Sequence, residues 1–295
     1  MKPKIINSSR MPVYRDAGFE LFDAQTTSNA FQNETSNERE PELYIYSRYR
    51  NPTVVAAEEE IIKLEGSAWS LLTQSGMSAI DTAVSIFQKS GETAPWLFFS
   101  EIYGGTISFA DSVLKKRRGL DIQYFVPDNG RYNVAAFESL IKSLHPEIVY
   151  IEAISNPMLI VPDAIRIIQI SKKYRAKVIV DNTFATPYLW KPLESGADIV
   201  IHSATKYFSG HGNITAGVIC GNDPAIMKAC IEYRKFVGHM ISADDAYRLN
   251  TQIQTFGLRF RHQCNNASKI AELLNQSKLM RKVWYAGLKE HPSQE

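Results

Sequence analysis

A chain of 295 residues with 44% apolar and 22% charged residues is long enough to bury a large core and has the balance of a globular protein. Its 33 basic and 31 acidic side chains leave a formal charge of +2, which provides no general field for attracting nucleic acid. Three cysteines, Cys220, Cys230 and Cys264, exclude a disulfide framework and a thiolate zinc site, and six histidines show no metal-ligand spacing, so no metal is expected.

The start, Met1-Lys2-Pro3-Lys4, is not followed by an apolar run of signal-peptide length, and no membrane-spanning stretch occurs. The expectation is a soluble, cytoplasmic protein that engages neither membrane nor nucleic acid. Residues 26–41 are rich in Thr, Asn, Ser, Gln and Glu and lack apolar periodicity, which predicts an extended arm. From about residue 58, short apolar runs alternate with amphipathic segments. Strands are predicted at 67–73, 96–100, 122–126, 148–154, 177–181, 199–203 and 216–220, and helices at 134–144 and 164–174. This is α/β text with a seven-stranded, mostly parallel sheet. The basic run Lys115–Arg118 sits where a helix should end and reads as a solvated terminus. After Asp223 the text is helical to about residue 276, and the apolar run Val283-Trp284-Tyr285 reads as the opening of a second domain.

Two strand-like runs end in polar groups: Val180-Asp181-Asn182-Thr183, and His202-Ser203-Ala204-Thr205-Lys206. Ligands of open α/β sheets bind at the carboxyl ends of strands, so an acid and a lysine would share one crevice. A lysine in a semi-buried pocket is a nucleophilic amine able to form a Schiff base with an aldehyde. Ser203 and Thr205 add hydroxyls suited to a phosphate. Taken alone, the same residues also fit a solvated turn and a capping carboxylate. Thr73-Gln74-Ser75-Gly76-Met77 joins a strand to a helix, where the free N–H groups of Gly76 and Met77 suit an anion or simply make a tight turn. The segment fits neither a P-loop nor the G-x-G-x-x-G fingerprint of a dehydrogenase. Tyr103 precedes Gly104-Gly105-Thr106 at the rim, as a stacking ring or as packing over a helix start. Tyr46 and Arg48 close the arm as phosphate partners or as a solvated loop.

In this order the segments 46–53, 75–77, 103–106, 155–157, 180–183 and 203–211 resemble the Cys/Met-metabolism family of pyridoxal-phosphate enzymes, which includes cystathionine γ-synthase, cystathionine lyases, methionine γ-lyase and O-acylhomoserine sulfhydrylases. The resemblance implies a large domain like that of type I aminotransferases and pyridoxal 5'-phosphate as cofactor. It implies that Lys206 holds the cofactor covalently and that Asp181 pairs with the pyridine nitrogen. Gly76, Met77, Ser203 and Thr205 would hold the phosphate. Tyr103 would stack on the ring and act as an acid near the leaving group, with Asn156 near the ring hydroxyl. Tyr46 and Arg48 would reach the phosphate of a neighbouring subunit, which implies a homodimer or homotetramer with shared sites.

The implied activity is γ-elimination or γ-replacement on a sulfur amino acid or O-acylated homoserine. Gly105 stands where methionine γ-lyases usually carry cysteine, whereas residues 210–217 resemble lyase versions of the loop after the lysine. The implied organisation is an arm over 1–57, a cofactor domain over 58–242, and a linking helix with the start of a C-terminal domain over 243–295. Family members continue past the position of Glu295 into a domain that supplies an arginine for the substrate carboxylate. The chain therefore reads as a truncated homologue, and one that binds cofactor without turnover is the alternative.

Overall fold

The computed structural model describes residues 11–33, 43–91 and 93–294. Its first helix, α1 (Ala24–Asn33), corrects the expectation of an extended arm there. The Asp23 carboxylate accepts the Thr26 N–H at 2.7 Å and the Thr26 hydroxyl at 2.9 Å. This cap nucleates a helix that the weak apolar periodicity does not announce. The rest of the polar stretch, 34–41, lies outside the described residues. Helix α2 (Pro52–Glu65) opens on Asn51, whose side chain accepts from the N–H groups of Thr53 and Val54, with proline at its first position. It runs across residue 57, where the sequence suggests a change from arm to domain.

The strands follow the apolar runs closely: β1 (Trp69–Thr73), β2 (Trp96–Phe99), β3 (Ile122–Phe125), β4 (Ile148–Glu152), β5 (Lys177–Asp181), β6 (Ile199–His202) and β7 (Gly217–Gly221). Between them lie α3 (Gly76–Ser85), α4 (Gly104–Phe109), which continues as a π-helical turn to Lys115, α5 (Val134–Leu144), α6 (Ala164–Lys173) and α7 (Thr186–Leu189). Helices α8 (Pro224–Val237), α9 (Ala243–Ile253) and α10 (Phe256–Asn275) follow the sheet.

The seven strands form one sheet in the order β1-β7-β6-β5-β4-β2-β3. Among the described residues, β7 is the one strand running against the others, antiparallel to both β1 and β6. The strands β1, β2, β4, β6 and β7 are buried at every position, as expected of a sheet covered on both faces. Each fully buried Leu, Val, Ile or Phe in it contributes about 1.5–3 kcal/mol of burial free energy. A buried ion cluster fastens helices to its β1 edge. The Arg234 guanidinium from α8 donates to Glu58 of α2 at 2.8 Å and to the Leu72 carbonyl of β1 at 2.6 Å.

Arg118 departs from the solvated terminus expected of the basic run, because its guanidinium pairs with Asp81 of α3 at 2.9 Å. The run Val283-Trp284-Tyr285 forms neither helix nor strand. The Trp284 indole N–H instead donates to the Met158 carbonyl, and Ser293 Oγ accepts from Val161 N at 3.1 Å, so this segment docks on the loop after β4. Among the described residues no helix is long and apolar enough to cross a membrane.

Candidate active site

The parallel strands point their carboxyl ends at one cavity of about 240 Å³. Strand β1 leads into Ser75, Gly76 and Met77; β2 into Tyr103; β4 ends at Glu152 and leads to Asn156; β5 ends at Asp181; and β6 leads into Ser203, Thr205 and Lys206. All of these residues line the cavity.

Helix α3 aims its N-terminus into this space. Ser75 caps it by accepting the Ser78 N–H at 3.0 Å, which leaves the N–H groups of Gly76 and Met77, at the first two helical positions, without intrahelical acceptors. A side chain at 76 would bring its Cβ to 3.0 Å from both Cβ and Oγ of Ser203. Gly217 serves the same junction, since a Cβ there would collide with the Ser75 carbonyl oxygen. Helix terminus and Ser203 thus form one tight concave surface with partial positive charge. The Thr205 hydroxyl accepts from Ala216 N at 2.9 Å and donates to Ala216 O at 3.2 Å, which holds the turn before Lys206.

Asp181 lies at the cavity floor, 9% exposed. Thr183 donates to its Oδ1 from both the hydroxyl, at 2.5 Å, and the backbone N–H, at 3.0 Å, and Tyr150 donates its hydroxyl to Oδ2 at 3.3 Å. Burial pushes the Asp181 carboxyl up, against the lowering effect of these bonds and of His202. No ammonium or guanidinium is bonded to it among the described residues. A buried carboxylate so furnished with donors yet lacking a cation suits a cationic ligand.

Lys206 corrects one expectation: its side chain is exposed at the cavity mouth, where a semi-buried amine was expected. Tyr103 is 48% exposed at the same rim. Tyr46 and Arg48 do not join this cavity. The Arg48 guanidinium stacks 5.4 Å and 5.1 Å from the Tyr46 and Tyr49 ring centroids and donates to the Lys235 carbonyl at 2.6 Å. Arg48 lines a larger, open cavity of about 1060 Å³ that shares Thr205 and Thr215 with the smaller one.

Sequence reasoning missed Glu152, Thr183 and Arg259. Glu152 reads as the polar end of an apolar run. Thr183 lies in a motif already singled out, and the signal was its place two residues after Asp181. Arg259 gives no local signal: it comes from α10 and donates to the carbonyls of Tyr207 and Phe208, each at 3.0 Å, fastening the turn after Lys206.

The sequence matches the family described as Cys/Met metabolism PLP-dependent enzyme over residues 2–295. The chain belongs to this family. Among curated relatives, cystathionine β-lyase of Lactococcus lactis subsp. cremoris (strain MG1363) is 38% identical over 258 residues, covering 87% of this chain and 65% of that enzyme. L-methionine γ-lyase of Fusobacterium nucleatum subsp. polymorphum is 33% identical over 287 residues, covering 97% of this chain and 69% of the lyase. The crystal structure of cystathionine γ-synthase from Xanthomonas oryzae pv. oryzae in complex with cystathionine superposes with a TM-score of 0.84 at 28% identity, covering 97% of this chain and 68% of that chain. The chain thus spans about two thirds of the length of these relatives.

The cofactor of the family is pyridoxal 5'-phosphate, and the residues present fit it. The helix N-terminus pressed on Ser203 suits a phosphate, the buried Asp181 without a cation suits a protonated pyridine nitrogen, and an amine at the mouth suits an aldehyde.

Proposed function

We propose that the chain is a pyridoxal-phosphate-dependent transsulfuration enzyme that acts on a sulfur amino acid or an O-acylated homoserine by γ-elimination or γ-replacement. The observation that carries this reading is the convergence of Lys206, Asp181 and the α3 N-terminus on one cavity, in a chain of this family. The likeness to a cystathionine β-lyase extends the reading to elimination at the β-carbon of cystathionine.

When bound, pyridoxal phosphate supplies an aldehyde for the substrate amine and a ring that accepts the electron pair left at the substrate α-carbon. Asp181, kept in place by Tyr150 and Thr183, would hold positive charge on the ring nitrogen. The N–H groups of Gly76 and Met77 and the Ser203 hydroxyl would hold the phosphate, with the Thr205 hydroxyl turning to it from the Ala216 carbonyl. Lys206 Nζ would hold the aldehyde, and its free amine would carry the substrate α-proton as base and then as acid. Tyr103 would lie against the ring with its hydroxyl able to give a proton to the leaving group, and Asn156 would lie near the ring hydroxyl.

The reading extends to a cytoplasmic homodimer or homotetramer. The segment carrying Tyr46 and Arg48 would reach the neighbour's phosphate, residues 58–242 would hold the cofactor, and α9 and α10 would form the linking helices.

The test is spectroscopic. Protein purified with pyridoxal phosphate develops a visible absorbance band that Lys206→Ala abolishes, and borohydride reduction fixes a pyridoxyl label on Lys206. Release of a 2-oxo acid from cystathionine or methionine establishes turnover. A label elsewhere, or no band, sinks the assignment; a band without 2-oxo acid leaves a homologue that binds cofactor and does not turn over.

A further inference from the structure

One carboxyl group at the cavity floor has no part in the reaction proposed above. Glu152 closes β4 and is 8% exposed. Its Oε1 accepts the Tyr103 N–H at 2.7 Å, and its Oε2 accepts the Asn156 N–H at 3.2 Å. Tyr103 belongs to the segment after β2 and Asn156 to the segment after β4, so a single side chain ties together two separate loops that border the cavity. Among the described residues, no helix or strand bond holds either N–H.

Glu152 is also the register partner of Asp181 across the β4–β5 ladder. Two carboxyl groups side by side in a buried floor do not both ionise without a cation. Asp181 receives three donated hydrogens, two from Thr183 and one from Tyr150, whereas Glu152 receives two. The negative charge therefore settles on Asp181 and the proton on Glu152. Burial, then the Asp181 charge, pushes the Glu152 carboxyl up to about 9. The other titratable groups facing this pair are Tyr150 of β4, Tyr132 ahead of α5 and His202 of β6. Tyr103 and Lys206 stand above at the mouth.

We propose that Glu152 is a positioning residue that sets the separation of the Tyr103 and Asn156 segments required for the pyridine ring, by accepting both backbone N–H groups with one side chain. The inference rests on the cofactor assignment made above.

The experiment compares wild-type protein with Glu152→Gln and Glu152→Ala, using pyridoxal phosphate and inorganic phosphate as separate probes. An amide at 152 offers one acceptor in place of two, and alanine offers none. Pyridoxal phosphate binding weakens about tenfold in both variants, while inorganic phosphate, which needs only the α3 cradle, binds within about twofold of wild type. Without cofactor, the wild-type chain releases a proton as pH rises through about 9, and that titration is absent in Glu152→Gln. Equal loss for both probes shows a general structural role and overturns the proposal, as does unchanged pyridoxal phosphate binding. Failure of the wild-type protein to bind pyridoxal phosphate instead counts against the cofactor assignment. Amide hydrogen exchange on the wild-type chain decides the matter without any variant: slow exchange at Tyr103 and Asn156 supports the clamp, and rapid exchange at Tyr103 overturns it.

Discussion

Arg259 lies across Gly210 so closely that a Cβ at 210 would occupy the space of the guanidinium. The contact joins α10 to the turn that follows Lys206, and Gly210 holds φ at +65°, a left-handed backbone that favours glycine. The site lysine is thus placed by a residue 53 positions further along the chain only through tertiary packing.

Gly210→Ala therefore combines an unfavourable φ with displacement of three guanidinium hydrogen bonds, to the carbonyls of Tyr207, Phe208 and Gln252. The expected loss is about 2–4 kcal/mol of unfolding free energy, read as a lower urea midpoint. Arg259→Ala retains the glycine and is expected to cost less, while raising amide exchange over residues 207–210. An unchanged midpoint in Gly210→Ala contradicts the contact.

The 3.0 Å approach of residue 76 to Ser203 makes a separate prediction. Gly76→Ala leaves the helix intact, because alanine is a good helix former. The added methyl pushes the Ser203 hydroxyl from the phosphate cradle, and inorganic phosphate binding falls about tenfold. Ser203→Gly in the same chain removes the clash. If Gly76→Ala binds phosphate as the wild type does, the cradle has been assigned to the wrong surface.

Stability of the chain without added cofactor depends on pH through Glu152. Its carboxyl ionises near the ordinary 4.5 when unfolded and near about 9 when folded. Between those values the folded state keeps a proton that the unfolded state has released, so stability is fully present below the lower value and declines as pH rises through the window. Urea midpoints measured across this window should fall more steeply for wild type than for Glu152→Gln, whose side chain does not titrate. Parallel slopes would mean that Glu152 is already ionised in the folded chain.

Arg234 is fully buried and paired with Glu58, which also lies 3.5 Å from the Arg50 guanidinium. Arg234→Ala leaves buried polar groups of Glu58 and Leu72 without this donor, at a cost of about 3–5 kcal/mol. Because the Leu72 carbonyl belongs to the strand that leads into the α3 turn, phosphate binding weakens as well. Thermal unfolding and phosphate titration on the same variant check both effects.

Much of the frame was legible residue by residue. Most strands lie on apolar runs, and β5 and α5 keep their predicted bounds, because burial on both sheet faces leaves a dense apolar signal, whereas β3 at the sheet edge exposes Gln123. The strand ends were trimmed by particular partners: Ala68, predicted inside β1, instead donates its N–H to the Asn222 side chain at 2.8 Å. Helix α1 escaped notice because a side-chain cap, rather than an apolar stripe, starts it.

Of the residues expected to meet at the site, Gly76, Met77, Tyr103, Asn156, Asp181, Ser203, Thr205 and Lys206 do line one cavity, since each follows a strand whose carboxyl end faces it. Tyr46 and Arg48 lie apart within the chain.

The chemical types of the site, an amine, an acid and a glycine at a helix start, were determined by sequence alone, because each is a property of one residue and its immediate neighbours. Tertiary structure decided the reversal of β7, the pairing of Glu152 with Asp181, and the grip of Arg259 on the lysine turn. Strand direction, carboxyl proximity and cross-chain hydrogen bonds depend on which distant segments become neighbours, and a local pattern of residues carries no record of that.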